Sequence, residues 1–308
     1  SGWPIYADGF SQWDGGAGRM KHPARKRLSV LKSLLSLERL TEIVDIGANP
    51  LSRPDYQPLV DAQLARVTGF EPNPEAFDAL KPRESAYERH LPFAVGDGAT
   101  HELKVTKQSG FTSLLEPSAA TLAYLGRWKH TAAVVERLPM TTKRLDDLDT
   151  IPQMDFLKID IQGGELAVFQ NGRKKLAGAV AVMTEVAFIP LYDGQPLMDA
   201  QMAELTAQGF ILHRFVFTKT VPLASPFDVP EDKQRAGSPL VDGDAIFIRD
   251  LRQPEALSDA ALAHLALLAE GCFGSPDLAL RCLTILMRRG LVRKPKVQAY
   301  ADLIREAA

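Results

Sequence analysis

Apolar positions along the chain fall in short runs that stop at acidic or glycine residues, and the runs alternate with stretches of helical spacing. Residues 42–46 (Glu-Ile-Val-Asp-Ile) form one run, which ends at Gly47-Ala48-Asn49. Residues 67–71 form a second, ending in Glu71 before Pro72, and 91–95 form a third that stops at Gly96-Asp97-Gly98. Between the first two, a helix is predicted to open near Pro54 or Pro58, with Leu59, Val60 and Leu64 as its apolar face. Pro74 opens another through Phe77 and Leu80, since proline suits a helix's first turn. Strand, helix, strand, helix, strand is the first half of a doubly wound parallel sheet. The second half starts with the run 154–161, which stops at Gln162-Gly163-Gly164, with a helix from Glu165. A strand over 180–186 follows, then a helix over 197–208 closed by Gly209, a residue suited to the left-handed helix stop. Residues 210–217 and 244–248 are two further strands. In the middle, 101–106 alternates as a strand, 109–114 reads as a hydroxyl-bearing loop, 119–125 as a helix and 136–145 as an extended segment.

The flanks differ from this core. Residues 1–20 scatter Trp3, Tyr6, Phe10 and Trp13 among glycines with no period, which predicts an arm, either loosely docked or covering a pocket. Helical spacing begins at residue 28. Beyond Arg249, three Ala- and Leu-rich segments (254–270, 276–289, 295–307) predict helices, as an appendage on the core or as a surface for homo-oligomers. The chain therefore divides into an N-terminal arm and helix (1–40), an α/β domain (41–250) and a helical C-terminal extension (251–308). The proline-rich stretch 221–239 has the length of a lid or binding loop.

Composition narrows the class. Apolar content of 45% and charged content of 24% are ordinary for a globular chain of 308 residues. A net charge of −2 gives no electrostatic case for nucleic acid. No apolar run reaches the roughly 18 residues of a membrane span, and no signal pattern is visible, so a cytoplasmic protein is expected. The chain begins Ser1-Gly2 and not Met, which reads as a processed or excised start. Cys272 and Cys282 argue for neither a disulfide scaffold nor a zinc site, and His22, His90, His101, His130 and His264 show no metal-ligand spacing.

Candidate chemistry gathers at the ends of the predicted strands, where open α/β sheets hold ligands. Asp45 and Gly47 end the first strand. Glu71 follows Gly47 by 24 positions, close to the roughly 20-residue interval at which nucleotide-binding folds place a ribose-binding carboxylate. Asp160 ends a central strand of the second half.

The combination Val44-Asp45-Ile46-Gly47-Ala48-Asn49, Phe70-Glu71-Pro72-Asn73-Pro74, Ala94-Val95-Gly96-Asp97 and Leu157-Lys158-Ile159-Asp160-Ile161-Gln162-Gly163-Gly164-Glu165 resembles the FkbM family of S-adenosylmethionine-dependent methyltransferases. Thr184-Glu185-Val186 and Asp244-Ala245-Ile246-Phe247 also look like that family, so the resemblance covers roughly residues 40–250. It implies a Rossmann-like seven-stranded sheet with its last strand antiparallel, and O-methylation of a hydroxyl on a sugar, polyketide or related metabolite. Two positions depart from the family pattern: Leu51 stands where a glycine is usual, and Gln162 where a glutamate is frequent.

Methyl transfer from an activated sulfonium needs no metal. It needs alignment of the acceptor oxygen and a base for its proton. On this resemblance, Asp45, Gly47 and Asn49 serve the donor's amino-acid end, Glu71 its ribose hydroxyls, Gly96 and Asp97 its adenine, and Ser113 a position near it. Asp160 is the expected catalytic centre, as base or as the residue that orients donor or acceptor. Gln162, Glu185 and His213 are the expected acceptor contacts, and Glu165 is expected to favour its helix's N-terminus. Each also has a structural alternative: Asp45 as a turn cap, Asp97 and Ser113 as loop residues, Asp160 as a helix cap, Glu185 as a paired strand acid, His213 as a packed strand residue. Three other readings stay open at this level: a nicotinamide-dependent oxidoreductase, which lacks Gly-x-Gly-x-x-Gly here; a noncatalytic binding or scaffold protein on the same fold; and methylation on nitrogen.

Overall fold

The computed structural model describes residues 13–14, 19–20, 22–50, 53–226 and 237–306. Most of the expected arm 1–20, Leu51, and residues 227–236 of the proline-rich loop lie outside the described residues. A two-residue ladder pairs β1 (Trp13–Asp14) with β2 (Arg19–Met20), and α1 (His22–Leu34) follows.

Seven strands form the main sheet: β3 (Thr41–Ile46), β4 (Ala65–Phe70), β5 (Glu88–Leu91), β9 (Phe156–Ile159), β10 (Ala181–Ala187), β11 (Phe210–Thr220) and β12 (Leu240–Arg249). Their spatial order is β11-β12-β10-β9-β3-β4-β5. β5, β4, β3, β9 and β10 run parallel, and β12, the last strand in the chain, is antiparallel to both β10 and β11. Chain order reverses between β3 and β9, and this is where such a sheet opens a crevice beyond its carboxyl edge.

The third strand differs from its expected position. The run 91–95 is not one strand, because Pro92 has no N–H to give to a ladder. β5 takes the residues before it. Ala94–Gly96 becomes β6 of a separate three-stranded sheet with β7 (Thr100–Thr106) and β8 (Val134–Arg144). The middle helix α4 (Ala119–Leu125) forms where expected.

Alternation along the central strands sends side chains to two cores. Ile43, Val67, Phe156, Ala181, Met183 and Ile246 face a layer built from α1, α2 (Gln57–Asp61), α8 (Asp259–Gly271), α9 (Pro276–Arg288) and α10 (Lys294–Arg305). Val44, Ile46, Leu157, Ile159, Val182 and Phe247 face the other layer, with α5 (Glu165–Gln170), α6 (Arg173–Leu176) and α7 (Met198–Ala207). Gly209 ends α7 with φ +85°. α8 is buried from Leu262 to Gly271, so the C-terminal helices supply one covering layer of the sheet. Glu270 on α8 accepts from Arg27 of α1 at 3.0 Å and from the Tyr300 hydroxyl of α10 at 2.5 Å, a buried network that fixes the three helices together. No described helix is long and apolar enough to cross a membrane.

Candidate active site

The turn after β3 hangs on the end of β4. The N–H groups of Gly47 and Ala48 both donate to the Phe70 carbonyl, at 3.0 and 3.1 Å. Gly47 has φ +82°, and a Cβ on it would lie 2.1 Å from the Asp160 carbonyl oxygen. The Asp160 N–H in turn donates to the Ile46 carbonyl at 3.1 Å. The loops after β3 and β9 thus meet backbone to backbone at the reversal point, leaving no room for a side chain on residue 47.

Asp45 faces the α8 side of the sheet and is only 2% exposed. Tyr56, from the loop before α2, donates its hydroxyl to Asp45 Oδ2 at 2.7 Å, and Lys158 Nζ donates to Oδ1 at 3.2 Å. The carboxylate expected to meet a ligand's ammonium directly is therefore engaged internally through both oxygens. Burial alone would lower the Lys158 ammonium, but Asp45 and Asp160 beside it outweigh that and hold it above the ordinary lysine range. Burial raises Asp55, with Lys158 opposing and Asp45 adding to the rise. Lys158 sits within a quoted motif and Tyr56 in the proline-bearing loop that begins at Pro50, and neither has a role assigned from sequence. Neither shows its partner until β3 and β9 lie side by side. Tyr56→Phe is expected to lower the free energy of unfolding by about 2 kcal/mol, the worth of a buried hydrogen bond to a charged group, read from the urea midpoint.

Glu71 stands one residue past β4. Asn73 caps α3 (Pro74–Leu80) by accepting from the N–H groups of Glu75 and Ala76, and its own N–H donates to Glu71 Oε1 at 2.8 Å. Burial pushes the Glu71 carboxyl up to about 7, against the Asn73 N–H and with help from Asp45. Asn49 is exposed, and its carbonyl accepts from Arg83 at 3.4 Å. Gly96 ends β6 of the three-stranded sheet, and Asp97 begins the turn after it. Asp97 Oδ1 accepts from His101 Nε2, the Ala99 N–H and Thr142 Oγ1, and the bond from His101 leads in holding this carboxyl below its usual range. Ser113 is buried and donates to the Gln162 carbonyl at 2.6 Å, which braces the loop after β9.

The loop after β9 and the ends of β10 and β12 bring acids together. Asp160 is exposed, while Glu165 is buried and accepts from the Ile161 and Gly163 N–H groups. One oxygen each of Asp160, Glu165 and Glu185 lies within 4.8 Å of the others. Gln162, with φ +59°, donates its amide to Asp160 Oδ1 at 2.8 Å and to Glu185 Oε2 at 2.9 Å, and accepts from the Tyr192 hydroxyl at 2.9 Å. Burial, then the charges of Asp160, Glu165, Asp242 and Asp244, raise Glu185 well above the ordinary carboxylate range. Burial likewise pushes Glu165 and Asp244 up to about 7, with Asp160 adding in each case. Asp242, paired with Lys219 at 2.6 Å, joins the same edge; both lie in the stretch 218–242 expected to supply pocket residues, with neither singled out from sequence. A cavity of about 260 Å³ opens there, bounded by Phe111, Trp128, Gln162, Glu185, Lys219 and Asp242.

His213 is not part of this constellation. Its Nε2 shares a hydrogen bond with Ser275 Oγ at 2.7 Å, in the segment between α8 and α9, and the neighbouring Arg214 donates to the Phe273 and Gly274 carbonyls. β11 places it early in the strand, against the segment between α8 and α9 and not beside the acids where an acceptor contact was expected.

The model of the methyltransferase FkbM domain matches residues 45–212, more than half of the chain. The chain belongs to the FkbM methyltransferase family. The matched segment runs from the end of β3 through β4, β9 and β10 and includes Asp160, Glu165 and Glu185 of the acidic edge, and family and fold together support a methyltransferase. Similar solved structures include magnesium protoporphyrin IX methyltransferase (ChlM) from Synechocystis PCC 6803 with bound SAM, at 12% identity over 76% of this chain and 87% of that one, with a TM-score of 0.34. StiE O-MT residues 961–1257 is similar at 10% identity over 81% and 82% of the two chains, with a TM-score of 0.35. LepI in complex with SAM is similar at 9% identity over 72% and 46%, with a TM-score of 0.35. No curated protein matches the FkbM chain by sequence.

Proposed function

We propose that this FkbM-family chain transfers the methyl group of S-adenosylmethionine to a hydroxyl of a sugar, polyketide or related small metabolite. The observation that carries the reading is the close backbone approach of the loops after β3 and β9 at Gly47, beside a surplus of carboxylates at the same edge. A cation suits that edge, and the donor supplies a sulfonium-activated methyl group and an ammonium. Glu71 has Oε2 left for the ribose hydroxyls, because Asn73 engages Oε1. Asp45 acts on the donor's amino-acid end indirectly, by fixing Lys158 and Tyr56 beneath it. Asp160, exposed at the reversal point and steadied by Gln162, takes the acceptor's proton as the acceptor oxygen bonds to the methyl carbon and the carbon–sulfur bond breaks, leaving S-adenosylhomocysteine. Lining up acceptor oxygen and methyl carbon is the larger share of the work.

Asp160→Asn is expected to keep thermal stability and affinity for S-adenosylhomocysteine while lowering methyl transfer from labelled donor, across a panel of hydroxylated acceptors, by roughly 100-fold or more. Full transfer by this variant would remove Asp160 from the role. Glu71→Ala should weaken S-adenosylhomocysteine binding roughly 10- to 100-fold in calorimetric titration, the value of a hydrogen bond to a charged group.

The raised carboxyls add a pH signature. Their folded-state pKa values lie above the unfolded value of 4.5 for Glu71 and Glu165 and 3.8 for Asp244, at about 7. The stability they lend is complete below the unfolded values and is lost as pH rises through about 7. A bound cation lowers them again, so donor binding near pH 7 should release up to about one proton. Titration in buffers of differing ionisation enthalpy measures this; proton uptake would contradict it.

A further inference from the structure

Three described non-glycine residues adopt positive φ: Gln63, Trp128 and Gln162. Two of them line the same cavity beside Glu185. A bulky side chain in the left-handed region is held there at a cost, and such strain gathers where a site demands one orientation. At Trp128 the φ of 62° is maintained by its carbonyl, which accepts from the Ala132 N–H at 2.8 Å and from Thr131 Oγ1 at 3.1 Å. The indole packs against Phe111 with ring centroids 5.8 Å apart. Lys219 Nζ lies 5.4 Å from the indole centroid and donates to Asp242 Oδ2 at 2.6 Å.

Resting on the methyl-transfer reading of this edge, we propose that Trp128 and the Lys219–Asp242 pair bind the acceptor, and that the unit they recognise is a neutral, saturated ring carrying adjacent hydroxyls. A lysine–aspartate pair on a cavity wall offers a donor and an acceptor side by side. Two neighbouring hydroxyls, each able to give and to take a hydrogen bond, complement it. The negative face of the indole suits the weakly positive C–H face of a saturated ring. An anionic acceptor would meet Asp242 and the surrounding carboxyls. A cationic one would compete with Lys219 for both the indole and Asp242. Gln162 lies between this wall and Asp160, its amide fixed by Asp160, Glu185 and Tyr192, so it keeps the ring's edge in register with the proposed base.

The test uses the full chain saturated with S-adenosylhomocysteine and a panel of methyl glycopyranosides with their deoxy analogues, read by saturation-transfer NMR. Wild type should saturate the ring C–H protons of glycosides that keep a vicinal diol, and bind the deoxy analogues about tenfold more weakly. Trp128→Ala and Asp242→Asn should each weaken glycoside binding about tenfold, with Trp128→Phe restoring most of it and S-adenosylhomocysteine affinity unchanged in both Trp128 variants. If wild type binds S-adenosylhomocysteine but no glycoside, or if Trp128→Ala binds glycosides as wild type does, the acceptor assignment is wrong. If wild type fails to bind S-adenosylhomocysteine, the methyl-transfer reading itself falls.

Discussion

Gly47→Ala is expected to abolish measurable S-adenosylhomocysteine binding and to lower the free energy of unfolding by about 2–4 kcal/mol. The new methyl group would lie 2.1 Å from the Asp160 carbonyl oxygen, on a residue with φ +82°. Neither partner can give way easily. The Asp160 carbonyl is backbone, and the Gly47 N–H is tied to Phe70 at 3.0 Å. Relief requires the loops after β3 and β9 to separate, which opens the crevice at the point where the donor's amino-acid end is proposed to sit. Calorimetric titration and urea denaturation read the two effects separately. A variant that binds as wild type does would show that the close approach of these loops is not what shapes the site.

Lys158→Met should destabilise the fold by about 3–5 kcal/mol, because it leaves the Asp45 carboxyl, 2% exposed, without its cationic partner and supported by Tyr56 alone. The loss falls on a layer that also contains Asp55, already raised by burial and by Asp45. Asp45→Asn in the same chain removes the stranded carboxyl. The double variant should therefore recover a substantial part of the loss, and urea unfolding of all four species should give a coupling of about 1–3 kcal/mol. Simple additivity would mean that the pair does not act as a unit. Because the pair lies beneath the crevice, the single variants should also weaken donor binding more than turnover at saturating donor.

The parallel strands were legible because each is a short apolar run closed by Gly or an acid, and burial on both faces requires such runs. β3, β4, β9 and β10 and the helices after Pro74 and Glu165 follow that rule. The run 91–95 looked equally continuous, but its pattern of side chains conceals that Pro92 cannot donate, and the chain changes sheets there. The candidate site was legible only where a residue lies at or near the carboxyl end of a strand. Asp160 and Glu71 each follow a strand directly, and Glu185 lies two residues from the end of β10. Asp242, Lys219 and Trp128 converge on the same edge from an antiparallel strand, the end of β11 and a loop, with no spacing rule to connect them. His213 misled for the converse reason. It lies in a strand of the correct sheet, but sequence alternation does not say that Ser275 waits on the face it turns to. The electrostatics were least visible, since the raised carboxyls owe their shifts first to burial.

The most direct test of the central claim is calorimetric titration of the full chain with S-adenosylmethionine, S-adenosylhomocysteine and NAD in parallel. Binding of the first two, without binding of NAD, is the predicted result. Binding of NAD in their place, or of none of the three, would contradict a methyl-donor site at the carboxyl edge of this sheet.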